Sequence, residues 1–284
     1  MYFLISLYSC NNNVRAWITL EYHQIPYEYV ESLSVEKDQM KGNHGYTKNP
    51  RLLQLNPKGL VPTLELSDDL IQLVKSSEGQ SGKNLEAYPL KPSPLNDAGS
   101  TMHVLSESID CIEFLNALKL ASSHDEIVQN LIPDSSFVAK AHVMNQNICS
   151  TFYKVLMKPT REEQKEAFDF FAKSIDEFIS KVNQNGYFDS NTLTIVDITV
   201  IPWILRLPLL RHYRPMFKIE DVLESDNVTK LNDYVERIKS LPSVKATLWN
   251  DHDKLIEVYA RYAEGTATSQ VGQAVKSGMN AHDV

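Results

Sequence analysis

The chain has 284 residues, enough for one large domain or two ordinary ones at about 100–200 residues each. Hydrophobic residues are 43% and charged residues 23%, which excludes wholesale disorder, a collagen-like repeat and a coiled-coil rod. With 28 Lys and Arg against 36 Asp and Glu, the net charge is −8, and that balance gives no case for nucleic-acid binding.

Cys10, Cys111 and Cys149 lie far apart. An odd, sparse set is no disulfide framework and suits a reducing compartment. The histidines form no metal-ligand spacing, so no metal site is expected. No apolar run approaches the ~20 residues that span a bilayer, so no membrane partner is expected. Met1 to Tyr8 is apolar but short, with no basic flank, and reads as a buried strand, not a signal peptide.

In chain order, Tyr2 to Tyr8 predicts a strand and Val14, Trp17, Ile18 and Tyr22 an amphipathic helix. Ile25-Pro26 ends that helix, and Tyr27 to Val30 predicts a second strand. Arg51 to Leu55 is a short helical signal, followed by the turn Asn56-Pro57-Lys58-Gly59. Leu60 to Leu66 alternates like a strand, with Pro62 marking an edge or a bend. Residues 67–101 are rich in Gly, Ser and Pro and predict a long loop insertion, a disordered segment in the simpler reading and a functional flap in the other. His103 to Leu105 is extended, and Ser106-Glu107-Ser108 opens a helix.

Helical periodicity then takes over. Helices are predicted over Ser136 to Leu156, Arg161 to Asn183, Ile195 to His212, Val228 to Ser240 and Trp249 to Ala263. The polar tail from Gly265 predicts a loose segment or a poor helix. The expectation is an α/β domain over 1–118 and an all-helical domain over 119–284.

Four spots carry candidate chemistry. Cys10 stands where a strand gives way to a helix. Only about 3% of an ordinary thiol is ionised at pH 7, and a helix N-terminus raises that fraction. Val61-Pro62 is a bend that would leave the Val61 backbone open to a peptide-like ligand. Glu107-Ser108 at a helix start would suit an ammonium and a carboxylate, or would simply cap the helix. Thr194-Ile195-Val196-Asp197 has capping-box spacing and a structural role.

Together these features resemble the cytosolic glutathione transferase superfamily. Asn56 to Leu64 is similar to that family's NP-x-G-x-VP-x-L segment, Leu105 to Ser108 followed by Ile112, Phe114 and Leu115 to its ESxxIxxYL motif, and Thr194 to Asp197 to its second-domain capping box. By that resemblance the α/β domain is thioredoxin-like. The resemblance implies glutathione as co-substrate, held by Lys58, Val61, Pro62, Glu107 and Ser108. It implies an acceptor site between the two domains, lined by Tyr8, Asn145, Tyr153 and Trp203. It also implies a cytoplasmic homodimer with detoxification or redox activity on a small electrophile, a disulfide or a glutathione adduct. Counting from Arg15, Cys10 matches the catalytic residue of omega-like members, whereas Cys10-Asn11-Asn12 departs from their Cys-Pro-Phe. Ser9 or Asn11 in that role would instead give conjugation, and a non-catalytic binding protein is the remaining alternative.

Overall fold

The computed structural model describes residues 2–6, 11–34, 47–76, 85–96, 101–123, 128–248 and 252–281. The chain divides into two compact units, Met1–Ile132 with Pro242–Thr247, and Pro133–Leu241 with Leu248–Val284.

The first unit is built on a sheet. Strand β1 (Tyr2–Ser6) leads to helix α1 (Asn11–His23) and then β2 (Glu28–Glu31), which pairs parallel to β1. A short β3–β4 pair (Leu33–Ser34 and Thr47–Lys48) and helix α2 (Pro50–Leu55) follow. Asn49 caps α2 by accepting from the Arg51 N–H, and Pro50 opens the helix where its missing donor is harmless. Strand β5 (Thr63–Ser67) pairs antiparallel with β1 and with β7 (Met102–Leu105). Helix α4 (Ser108–Ser122) follows β7 and, in contact with α1, buries nearly its whole surface. Strand, helix, parallel strand, then an antiparallel pair and a helix is the order that the alternation predicts, and the thioredoxin-like one that the resemblance implies.

The insertion is not a bare loop. Its described residues form α3 (Asp68–Ser76), a 3₁₀ turn at Leu85–Ala87 and strand β6 (Lys91–Pro92). Ile71, Val74 and Tyr88 are buried in the main core of this unit. Strand β6 adds to the sheet beyond β7, giving the order β2-β1-β5-β7-β6. The disordered reading fails for these residues because the Gly- and Ser-rich stretch is flanked by apolar side chains that the core takes up. From much later in the chain, α11 (Pro242–Thr247) packs against α1.

The second unit is helical. Helix α5 (Ser136–Met144) passes through a π-helical turn (Asn145–Ser150) into α6 (Thr151–Met157). Helix α7 (Arg161–Ser180) starts with a Thr160–Glu163 capping box. Helix α8 (Ile195–Ile204) is buried on every side, and α9 (Leu207–Tyr213), α10 (Ser225–Ser240) and α12 (His252–Ala263) surround the core. The predicted Ile195 to His212 helix breaks at Leu205–Arg206, just before Pro208. The tail forms α13 (Gln270–Lys276), N-capped by Ser269 accepting from the Gly272 N–H.

Candidate functional site

In the first unit the Asn56–Gly59 turn carries the chain into a bend before β5. Gly59 has φ +61 and its N–H bonds the Asn56 carbonyl at 2.6 Å, a left-handed conformation that glycine adopts at least cost. Lys48 lies across this glycine, and its ammonium donates to the Lys58 carbonyl at 3.1 Å. The Leu60 carbonyl accepts from Thr63 Oγ1 at 2.9 Å and Asn56 Nδ2 at 3.2 Å. The Val61–Pro62 peptide is cis, and Pro62 is buried.

Val61 is different from its neighbours. Its side chain packs on Leu52, Leu55 and Val104, yet among the described residues no hydrogen bond is made to its N–H or C=O. Unpaired main-chain groups at the end of a sheet are the template on which an extended peptide pairs. The antiparallel register aligns Leu64 with Leu105. Since β5 begins where β7 ends, the chain enters the ladder from Val61 and leaves it toward Ser108 at the same end of the sheet.

Ser108 is 9% exposed and opens α4. Its Oγ accepts from Arg15 Nη1 at 3.2 Å. Glu107 is the N-cap residue, but its side chain makes no capping bond, so it leaves the first-turn N–H groups to other partners. The Glu107 carboxyl is held above the ordinary range. Loss of water around it is the main cause and the Asp110 charge adds to it, while Lys58 and Lys91 pull the other way. The sequence reading missed Lys91. It is a single exposed lysine inside what looked like a loop, and only the sheet places it beside this corner.

Tyr8, Ser9 and Cys10 lie outside the described residues, and so does the Asn11 side chain. Helix α1 begins at Asn11, directly after Cys10 in the sequence. Cys111 and Cys149 are buried, as expected of core fillers.

In the second unit Tyr153 and Trp203 come together. Their rings lie 5.7 Å apart in an aromatic cluster with Phe152, Tyr259 and Tyr262. At 8% and 1% exposure they present almost no surface to a ligand. Asn145 starts the π-helical turn, and its side-chain oxygen is buried without a hydrogen-bond partner among the described residues. Arg206, Arg211 and Arg214 do not converge on an anion site. Arg206 binds the Pro202 carbonyl, Arg211 pairs with Glu220, and Arg214 binds the carbonyls of Leu156 and Ala263. Asp197 completes the predicted capping box and accepts from Thr194, Phe188 and Tyr234. Among the described residues no group of His, Cys, Asp and Glu could hold a metal ion, and no helix is long and apolar enough to cross a membrane.

Family models match both units. The glutathione S-transferase N-terminal domain matches residues 9–118 and the C-terminal domain residues 143–251. Among curated proteins no relative matches the sequence. Among solved structures the chain is similar to glutathione transferase Omega 3C from Trametes versicolor, at 22% identity and TM-score 0.64, covering 94% of this chain and 92% of that one. It is also similar to rice GST1 in complex with glutathione, at 16% identity and TM-score 0.61, covering 93% and 97%. A third is the trimeric Leishmania transferase TDR1, at 16% identity and TM-score 0.62, covering 96% of this chain and 50% of that one. At these identities the likeness is one of fold. The two domain models, matched in order over most of the chain, make it a member of the glutathione S-transferase family.

Proposed function

We propose that the protein is a glutathione-dependent transferase with Cys10 as nucleophile, acting as an omega-like thiol transferase. The observation that supports glutathione binding most directly is the open Val61 backbone at the end of the sheet where the chain leaves β7 toward Ser108. In this reading the Val61 N–H and C=O pair with the cysteinyl unit of glutathione, beside Pro62. The Ser108 hydroxyl and the first-turn N–H groups of α4 take the γ-glutamyl carboxylate, and Glu107 takes its ammonium. Lys58 serves the glycine carboxylate. On the second unit Asn145 is the proposed acceptor contact, with Tyr153 and Trp203 buried in the same unit.

Cys10 decides the chemistry. A hydroxyl or amide facing the glutathione sulfur can only donate a hydrogen bond to its thiolate and favour conjugation. A cysteine thiolate can attack a disulfide sulfur. With glutathione disulfide, a bond forms between Cys10 and one glutathionyl sulfur as the disulfide breaks. The second glutathione leaves as thiolate, and a further glutathione thiolate resolves the adduct. Reduction of disulfides or of glutathione adducts follows from the same step. The start of α1 next to Cys10 favours this reading, because a helix N-terminus stabilises a thiolate. The sparse cysteines and the family's habit suit a cytoplasmic homodimer.

Intact mass after exposure to glutathione disulfide tests the assignment. A single glutathione adduct is expected on the wild type and none on Cys10→Ala. No adduct on either protein, or the same adduct on both, would remove Cys10 from the role and bring conjugation through Ser9 or Asn11 forward.

A further inference from the structure

We propose that Lys91, carried by the inserted segment, is a specificity-determining residue that binds the γ-glutamyl carboxylate of glutathione from the added strand β6. The inference rests on the glutathione reading of the same corner and extends it to a segment that the motifs do not include.

The described part of the insertion is fixed to the sheet. Tyr88 is buried and meets Phe114 edge to face at 5.6 Å. Lys91 pairs with Val104 and Pro92 with His103 in the β6–β7 ladder. The Ser93 N–H bonds the Met102 carbonyl at 2.8 Å, and Ser93 Oγ donates to the buried Glu65 at 2.8 Å. Lys91 is therefore held between a core anchor on one side and a buried polar anchor on the other.

The register sets its face. Val104 pairs with both Lys91 and Glu65, and residues paired across a ladder point to the same side. On that side Val104 packs with Leu52, Leu55 and Val61. Lys91 thus shares a face with the residue whose backbone is open, at the strand that runs directly into Glu107 and Ser108. It is exposed, and its charge reaches the Glu107 carboxyl together with that of Lys58. The corner then holds two ammonium groups and two carboxylates around the start of α4. Lys58 comes from the turn before Val61 and serves the glycine end. Lys91 comes from the opposite edge and serves the γ-glutamyl end, where its charge adds to the Ser108 hydroxyl and the helix N–H groups.

The test is direct binding of two thiols to the full chain: glutathione, and cysteinylglycine, which lacks the γ-glutamyl unit. Lys91→Gln removes the charge at a solvent-exposed position that should not affect folding, and Lys75→Gln on α3 is the control lysine of the same insertion. For one exposed charge at contact distance, Lys91→Gln should weaken glutathione binding about threefold at low salt. The loss should shrink in high salt, where the Debye length is only about 3 Å at 1 M. Cysteinylglycine binding should not change, and Lys75→Gln should match the wild type with both probes. Equal losses for both thiols, or no loss for glutathione, would overturn the assignment while leaving the proposed glutathione function standing. A wild type that binds neither thiol would overturn this inference and the proposed function together.

Discussion

Arg15 Nη1 donates to Ser108 Oγ at 3.2 Å and so joins α1 to the first residue of α4. Arg15 is fully buried. With one of its lone pairs engaged by Arg15, the Ser108 hydroxyl keeps its own proton to give. Arg15→Ala should cost about 2–5 kcal/mol, as for other large buried truncations. Ser108→Ala should cost about 1.5–3 kcal/mol, since it removes an acceptor from a buried cation. Urea unfolding of both variants checks this, and a Ser108→Ala midpoint equal to the wild type would mean the bond adds nothing.

The same corner shows what the sequence discloses and what it withholds. Ser106-Glu107-Ser108 reads as a helix start because those residue types suit the first turn, and α4 begins at Ser108. Thr194 and Asp197 are legible for the same reason, since a capping box is a local interaction. The apolar spacing of α1 and α7 is equally plain. Strand β6 is not, because it is two exposed residues, one a proline, whose only warrant is a partner strand. The π-helical turn at Asn145–Ser150 hides inside a helical pattern whose period it hardly alters. Helix α13 hides in a polar tail, because it is one short helix whose buried residues are Gly272, Ala274 and a single strong hydrophobe, Val275.

Burial pushes the Asp197 carboxyl up to about 6, against the opposing pull of its hydrogen bonds from Thr194, Phe188 and Tyr234. A raised carboxyl binds its proton more tightly in the folded state than in the unfolded chain. Its contribution to stability is therefore fully present below about pH 4 and is lost as pH rises through about 6. At about 1.4 kcal/mol per pKa unit, the change across that window is roughly 3 kcal/mol. The stability difference between wild type and Asp197→Asn should shift by that amount, in favour of the variant, between pH 4 and pH 7. Urea titrations at both pH values check it, and a shift in the opposite sense would contradict the sign.

Glu65 ties three segments together on one face of the sheet. It is 1% exposed, accepts from Arg51 Nη2 at 2.5 Å and from Ser93 Oγ at 2.8 Å, and pairs across the ladder with Val104. Removing one partner of a buried, hydrogen-bonded carboxylate leaves its charge under-compensated. Arg51→Ala should therefore destabilise by about 3 kcal/mol or more. Ser93→Ala, which removes a neutral donor to the same charge, should cost about 1.5–3 kcal/mol. Proteolysis within the insertion should quicken more in Ser93→Ala than elsewhere in the chain, because Ser93 holds β6 to Glu65. Uniform acceleration across the protein would show that Ser93 is not a local anchor.

The tail after α12 closes back onto α6 through small residues. The Ala281 N–H donates to Ser150 Oγ at 3.0 Å, and Lys154 Nζ donates to Asn280 Oδ1 at 3.2 Å. Ala267, Ala274 and Ala281 are each at most 3% exposed. Gly272 makes this closeness possible, since a Cβ there would stand 2.8 Å from Ala267 Cβ and 3.0 Å from the Ala267 carbonyl oxygen. That second contact is with backbone and cannot swing aside. Gly272→Val should accordingly overpack the junction by about 1–3 kcal/mol. Because the strain is confined to the tail, its first sign should be faster cleavage between Glu264 and Ser269, ahead of any fall in the global unfolding midpoint. Ser150→Ala, which frees only the last residues, should leave that cleavage site nearly as protected as in the wild type. If both variants are cut equally fast, the Ala281–Ser150 bond and not the Gly272 contact holds the tail in place.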